Sequence, residues 1–252
     1  MTPQAGTVIN MLECKDVKKI FPITRGYLRD VVGSVRAVDG VSLNVEKREA
    51  FGLVGESGCG KTTLGKIILG MLRPDGGLVK LAAIRPQVIF QDPFNSLDPR
   101  MKVSDILAEG LVLMKEGRSA AGRSREMLDL VGLPGKSLGK YQHQFSGGER
   151  QRIAIARALI TAPDFIVCDE PVSSLDVTVQ LQILRLLKDA QRRYAMTYLF
   201  ISHDLRVVKF MCDRVAVMRE GRIVEEGPVE EVYSRPSHPY TKQLLSSIPR
   251  IF

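Results

Sequence analysis

Residues 50–63 read AFGLVGESGCGKTT, an apolar run from Ala50 to Val54 that passes straight into the glycine-rich stretch GESGCGKTT. A short run without polar residues has the length of a buried strand, and the TTLGKIILGML that follows has helical period. Between them Gly55, Gly60, Lys61 and Thr62 satisfy G-x-x-x-x-G-K-[ST]. Glycine lets the backbone take positive φ and brings bare N–H groups close to an anion. A helix beginning near Lys61 would aim its positive dipole end at the same point. The loop Gly55, Glu56, Ser57, Gly58, Cys59, Gly60, Lys61, Thr62 and Thr63 is therefore expected to bind a nucleoside triphosphate. Lys61 would place a full charge at the β- and γ-phosphates, and the Thr62 hydroxyl would ligate Mg2+.

The chain has 252 residues, 44% hydrophobic and 25% charged, enough for one large α/β domain or one domain with two lobes. No apolar run approaches the ~18 residues that span a bilayer. MTPQAGTVINMLECKD at the start has neither a basic region nor an apolar one of the secretory kind, so a cytoplasmic location is expected. Cys14, Cys59, Cys168 and Cys212 lack C-x-x-C spacing, which argues against a zinc site, a clustered iron–sulfur site or a disulfide framework. Cys59, inside the loop, is either alkylation-sensitive or simply a small residue that fits there. The net charge of +8 is spread among acids, as in RSREMLDL and LRLLKDAQRR. With no aromatic-rich RNA motif, zinc finger or heptad run beside it, this charge implies a basic surface facing solvent or anionic headgroups, and no nucleic-acid partner.

Residues 11–50 read as short strands around the loop ITRGYLRDVVGSVRAVD, ending in the alternating VSLNVE. VIF (88–90), FIVCD (165–169) and YLFIS (198–202) have the continuous apolar look of buried parallel strands. VTVQLQILRLLKDAQRR between the last two is helical, with Val179, Ile183, Leu186 and Leu187 on one side. Strand alternating with helix predicts a doubly wound α/β core. Residues 101–160 read as a separate helical lobe, VAVMREGRIVEEG as a hairpin turning at Glu220-Gly221, and the Pro-punctuated tail as one short helix around Thr241 to Ser247.

Three further motifs bear on chemistry. Asp169 ends an apolar strand, the position from which phosphate-loop proteins commonly reach Mg2+, and Glu170 beside it can polarise an attacking water. Ser146, Gly147 and Gly148 precede a strongly helical run and form a second anion cradle at a helix N-terminus. One triphosphate does not need two cradles from one chain, so two chains would face each other, each offering Ser-Gly-Gly to the other's nucleotide. His203 follows the third apolar strand, downstream of Asp169-Glu170.

Taken in order, the phosphate loop, Val88-Ile89-Phe90-Gln91-Asp92, Ser146-Gly147-Gly148-Glu149, Asp169-Glu170, Ser173-Ser174-Leu175-Asp176 and Ser202-His203-Asp204 resemble the ATP-binding-cassette ATPases nearly end to end. The resemblance implies a P-loop NTPase core with an N-terminal antiparallel β subdomain and an inserted helical subdomain, in a cassette of residues 11–233. ATP and Mg2+ would be its cofactors. Gln91 would link Mg2+ and the attacking water to a transmembrane partner, Asp176 would communicate across a dimer, and His203 would hold the γ-phosphate. Phe21 falls where the family stacks an aromatic on adenine, or else packs in the N-terminal sheet. The extension after Phe21, FQDPFNSLDPR and the tail SRPSHPYTKQLLSSIP (within residues 234–252) are similar to the oligopeptide/dipeptide importer ATPases. Expected partners are two transmembrane permease subunits, gripped near Phe94 to Arg100 and the helical lobe, a second cassette, and indirectly an extracytoplasmic solute-binding protein. Such a subunit would sit peripherally on the cytoplasmic face of the membrane. The alternative is a soluble accessory ATPase of a carbon–phosphorus-lyase-like complex. Phe145 and Glu149 stand where the broad family often has Leu and Gln, the Lys61–Gln91 stretch is short for the group, and no Cys-containing extension follows, so no iron–sulfur cluster is expected.

Overall fold

The computed structural model describes residues 9–25, 30–92, 96–116 and 120–247, within two compact units. The first unit comprises Met1–Ala83 and Thr197–Phe252, the second Ile84–Met196.

The first unit opens with β1 (Asn10–Arg25) and β2 (Asp30–Glu46), paired antiparallel from Asn10↔Glu46 to Arg25↔Asp30. Next come β3 (Ala50–Val54), α1 (Lys61–Ile68) and β4 (Gly76–Leu81), and β4 adds to β1 to give the antiparallel order β2-β1-β4. The expectation of short strands around a loop in residues 11–50 is corrected here, since most of that stretch is two long strands. Register shifts at Cys14/Val17, Lys19/Ile20 and Ile23/Thr24 conceal them in the sequence. Each bulge resets which side chains face the core, so no simple alternation survives along β1. Where alternation is clean, in VSLNVE, Val41, Leu43 and Val45 are buried.

The second unit holds β5 (Pro86–Ile89), α2 (Val103–Leu113), α3 (Ala120–Leu130), α4 (Gly147–Leu159), β6 (Phe165–Asp169) and α5 (Val177–Tyr194). β5 and β6 run parallel from Pro86↔Phe165 to Ile89↔Cys168. Helices α2, α3 and α4 pack on one another, and α4 also packs on β5 and α5. The apolar stripe of α5 buries Ile183, Leu184 and Leu187.

The chain then returns to the first unit with β7 (Thr197–Ser202), α6 (Leu205–Met211), β8 (Arg214–Arg219), β9 (Arg222–Pro228), α7 (Val229–Ser234) and α8 (Pro239–Ser246). β3 lies between β7 and β8, parallel to both, and all five of its residues are buried. That central, two-faced burial is why its sequence is a continuous apolar run. A Cβ on Gly52 would stand 2.7 Å from Val208 Cγ1, so α6 lies tight against β3 at this point. The β8–β9 hairpin turns at Glu220-Gly221, with φ of 49° and 82°. Two successive positive φ angles give the turn whose twist matches a tight hairpin.

Candidate functional site

The register Val54↔Ser202 makes the phosphate loop and His203 leave the first unit's parallel strands at one edge. That is the carboxyl edge, where open α/β sheets bind ligands. Gly55 has φ 154° and Gly60 φ 108°, and a Cβ on them would lie 2.1 Å from the Met218 carbonyl oxygen and 1.9 Å from that of Ala37. Only glycine passes these two points. The loop that results is a backbone cradle ending on the N-terminus of α1, which fits a phosphate chain. Lys61 is 5% exposed, and its Nζ donates to the carbonyls of Gly55 at 2.8 Å and Glu56 at 2.7 Å, with Cys59 Sγ at 3.6 Å. Gly221 N–H donates to the Cys59 carbonyl at 3.0 Å, so the β8–β9 turn braces the loop.

His203 is exposed just past β7, and the next residue caps α6, Asp204 accepting the Arg206 N–H at 2.8 Å. Phe21 stands on β1 opposite Val35, with Lys19 Nζ 5.7 Å from its ring centroid. At 39% exposure its ring is presented to solvent, not packed into the core of the sheet.

The second unit assembles the remaining candidates. β6 delivers Asp169, and Glu170 follows with φ 49°. A left-handed glutamate is sterically costly. It is held by Ser173, whose N–H and hydroxyl donate to the Glu170 carbonyl at 3.3 and 3.2 Å. Ile89↔Cys168 pairing sends the exposed Gln91 out at the same edge as Glu170. Ser146 caps α4 through a reciprocal box: its Oγ accepts the Glu149 N–H at 3.3 Å, and Glu149 Oε2 accepts the Ser146 N–H at 2.8 Å. These Ser146 donors hold the Glu149 carboxyl below the usual glutamate range. Gly147 and Gly148 occupy the first turn, whose N–H groups have no intrahelical acceptor. A Cβ on Gly148 would fall 2.7 Å from Val179 Cγ1, and Gln151 Nε2 donates to the Pro171 carbonyl at 2.7 Å. Asp176 caps α5 through the Val179 N–H at 3.0 Å. Ser146–Glu149, Asp169–Glu170 and Asp176 are thus bound into one constellation.

Phe94 lies outside the described residues. Burial pushes the Cys14 thiol up to about 12 and the Cys168 thiol higher still, so both are held protonated. Among the described residues, no helix is long and apolar enough to cross a membrane, and no group of three or more His, Cys, Asp or Glu could hold a metal ion. Sequence reasoning missed two residues at the loop. Tyr240 Oη accepts the Glu56 N–H at 3.2 Å, and the Arg219 guanidinium lies 4.8 Å over the Tyr240 ring. The tail's HPY element was the available signal, but no local pattern reports a contact across 184 positions.

A strand–loop–helix phosphate cradle in one unit and a Ser-Gly-Gly helix cap in the other, carried by a single chain, define the class of cassette ATPases. Residues 38–173 match the family described as ABC transporter, and residues 224–252 match the family described as oligopeptide/dipeptide transporter, C-terminal region. The chain is 46% identical, over 95% of its length and 82% of the relative's, to the oligopeptide transport ATP-binding protein OppF of Bacillus subtilis. A dimeric, post-hydrolysis ATP-binding cassette bound to ADP and Pi superposes with TM-score 0.73 at 26% identity, over 87% of this chain and 99% of that one. CbiO1 of Clostridium perfringens, part of an ABC transporter complex, gives TM-score 0.76 at 26% identity, over 96% and 97%. The chain belongs to the ABC transporter ATPase family. It binds nucleotide and hydrolyses ATP.

Proposed function

We propose that this chain is the ATP-hydrolysing subunit of an importer for peptides, working on the cytoplasmic face of a membrane through two separate permease subunits. The observation that carries this reading is the joining, in one chain, of the phosphate cradle at Gly55–Thr63 to the oligopeptide/dipeptide-type C-terminal region at residues 224–252. The name of the Bacillus subtilis relative, an oligopeptide transport ATP-binding protein, supports it. In this reading Lys61 and the loop N–H groups bind the phosphates and Phe21 stacks on adenine. Ser146, Gly147, Gly148 and Glu149 engage the nucleotide of a second cassette, identical or paralogous, and Asp176 relays across that contact. Glu170 orients and deprotonates the attacking water, and its braced left-handed backbone fixes where the carboxylate starts from. His203 contacts the γ-phosphate and Gln91 the water.

Thr62, Gln91 and Asp169 offer a hydroxyl, an amide and a carboxylate, the hard oxygen donors that magnesium prefers. When bound, the ion neutralises charge on the β- and γ-phosphates. The residues present fit that requirement. The segment near Phe94 to Arg100 and the helical lobe would receive the permease, and an extracytoplasmic binding protein would supply the solute.

Reconstitution of the chain with its permease subunits in liposomes tests the proposal. Hydrolysis should rise when peptide-loaded binding protein is added outside. Hydrolysis indifferent to peptide, with the chain recovered instead in a soluble complex with a metabolic enzyme, would overturn it.

A further inference from the structure

The peptide plane between Gly55 and Glu56 is gripped at both edges. Its carbonyl accepts the Lys61 ammonium at 2.8 Å, and its N–H donates to the Tyr240 hydroxyl at 3.2 Å. In a trans peptide these two groups point in opposite directions, so Tyr240 and Lys61 hold the plane from opposite sides. Rotating it would break both bonds together.

The side chain that does this is itself firmly mounted. Tyr240 is 3% exposed and sits in the first turn of α8. His238 caps that helix, its Nδ1 accepting the Tyr240 N–H at 3.1 Å, and Pro239 fills the first position, where no N–H is needed. The chain entering α8 is fastened to β9, because the Glu225 carboxylate accepts the N–H groups of Ser237 at 2.7 Å and His238 at 3.0 Å. Arg219, the last residue of β8, covers the ring. The His-Pro-Tyr element therefore has one physical reading: a cap, a helix start and a hydroxyl aimed at the phosphate loop.

We propose that Tyr240 is a positioning residue of the phosphate loop, acting through the Gly55–Glu56 peptide on Lys61, and that it couples the C-terminal helix to nucleotide binding. The proposal rests on the ATPase assignment above, which ADP binding to the wild-type chain checks separately. Without the hydroxyl, the loop must order that peptide when nucleotide binds, and affinity falls by the cost of ordering. Coupling is reciprocal, so bound nucleotide must in turn tighten α8.

Tyr240→Phe keeps the ring beneath Arg219 and removes only the hydroxyl. We expect ADP with magnesium to bind about fivefold more weakly, the worth of one neutral hydrogen bond. KM for ATP should rise by the same factor, with kcat within twofold of wild type. Hydrogen exchange on the full chain supplies a readout that a merely structural tyrosine would not move. In the wild type, ADP with magnesium should slow amide exchange across residues 240–246, and in Tyr240→Phe that slowing should be lost. ADP affinity within twofold of wild type, or nucleotide-induced slowing that survives in the variant, would overturn the proposal. Should the variant fail to fold, the wild-type measurement alone decides, since exchange in residues 240–246 that ignores ADP excludes the coupling.

Discussion

The buried Lys61 ammonium is satisfied by two carbonyls of its own loop, a geometry that holds a full positive charge at the start of α1. Lys61→Ala should lower ATP turnover by at least ~100-fold, the scale for losing one preorganised electrostatic contact, in a phosphate-release assay. Near-normal turnover would remove the loop from the mechanism. Glu149 makes a subtler case, readable through pH. Ser146 donors depress its folded pKa, so its contribution is complete above the ordinary glutamate range and is lost as pH falls through the lowered value. Glu149→Gln keeps an acceptor for the Ser146 N–H but gives up the charge at the positive end of α4. Its Tm at pH 7 should be about 1–3 °C below wild type, and the gap should close as pH drops below the glutamate range. A gap that did not vary with pH would mean that the charge plays no part. Residues such as Lys61 and Ser146 were legible because each stands at a fixed offset from the start of a helix. Tyr240 was not, since its partner is remote in the chain.

At the scale of elements, legibility followed burial. β3, β6 and β7 are buried along nearly their whole length and showed as unbroken apolar runs, whereas β1 and β2 were hidden by bulges that break their period. The Glu220-Gly221 turn was legible from its residue types, but its contact with the Cys59 carbonyl was not, because nothing local marks it. Packing against β3 gives a direct test of the core. Gly52→Ala would place a methyl 2.7 Å from Val208 Cγ1 and 3.3 Å from Cys212 Sγ. Overpacking of this kind costs about 1–3 kcal/mol and should lower Tm by several degrees. Adding Val208→Ala removes the obstructing methyl, so the double variant should be more stable than the sum of the two single changes predicts. Strict additivity would show that α6 does not press on Gly52.

For the whole molecule, Gly55–Thr63 and Ser146–Gly148 each lead into a helix N-terminus, and in the proposed reading one triphosphate would fill only one of the two. A second chain supplying the other would account for both; one structural neighbour is itself a dimeric cassette bound to ADP and Pi. Glu170→Gln separates closure from hydrolysis. The amide preserves size and hydrogen bonding, and the Ser173 donors to the Glu170 carbonyl do not depend on the side chain, so the turn should keep its shape. What is lost is the carboxylate proposed to activate water. ATP should still be gripped by Lys61 of one chain and Ser146 of the other, and the closed pair should accumulate because hydrolysis no longer reopens it. Size exclusion should therefore show a dimer with ATP and a monomer with ADP. Adding Ser146→Arg puts a bulky cation in the second cradle and should abolish the dimer while ATP still binds at the phosphate loop. If the natural pair is two unlike cassettes, the same measurement is made with both chains present. A Glu170→Gln chain that stays monomeric with ATP beside its paralogue would mean that the nucleotide is not shared, and that Ser146–Gly148 serves only to cap α4.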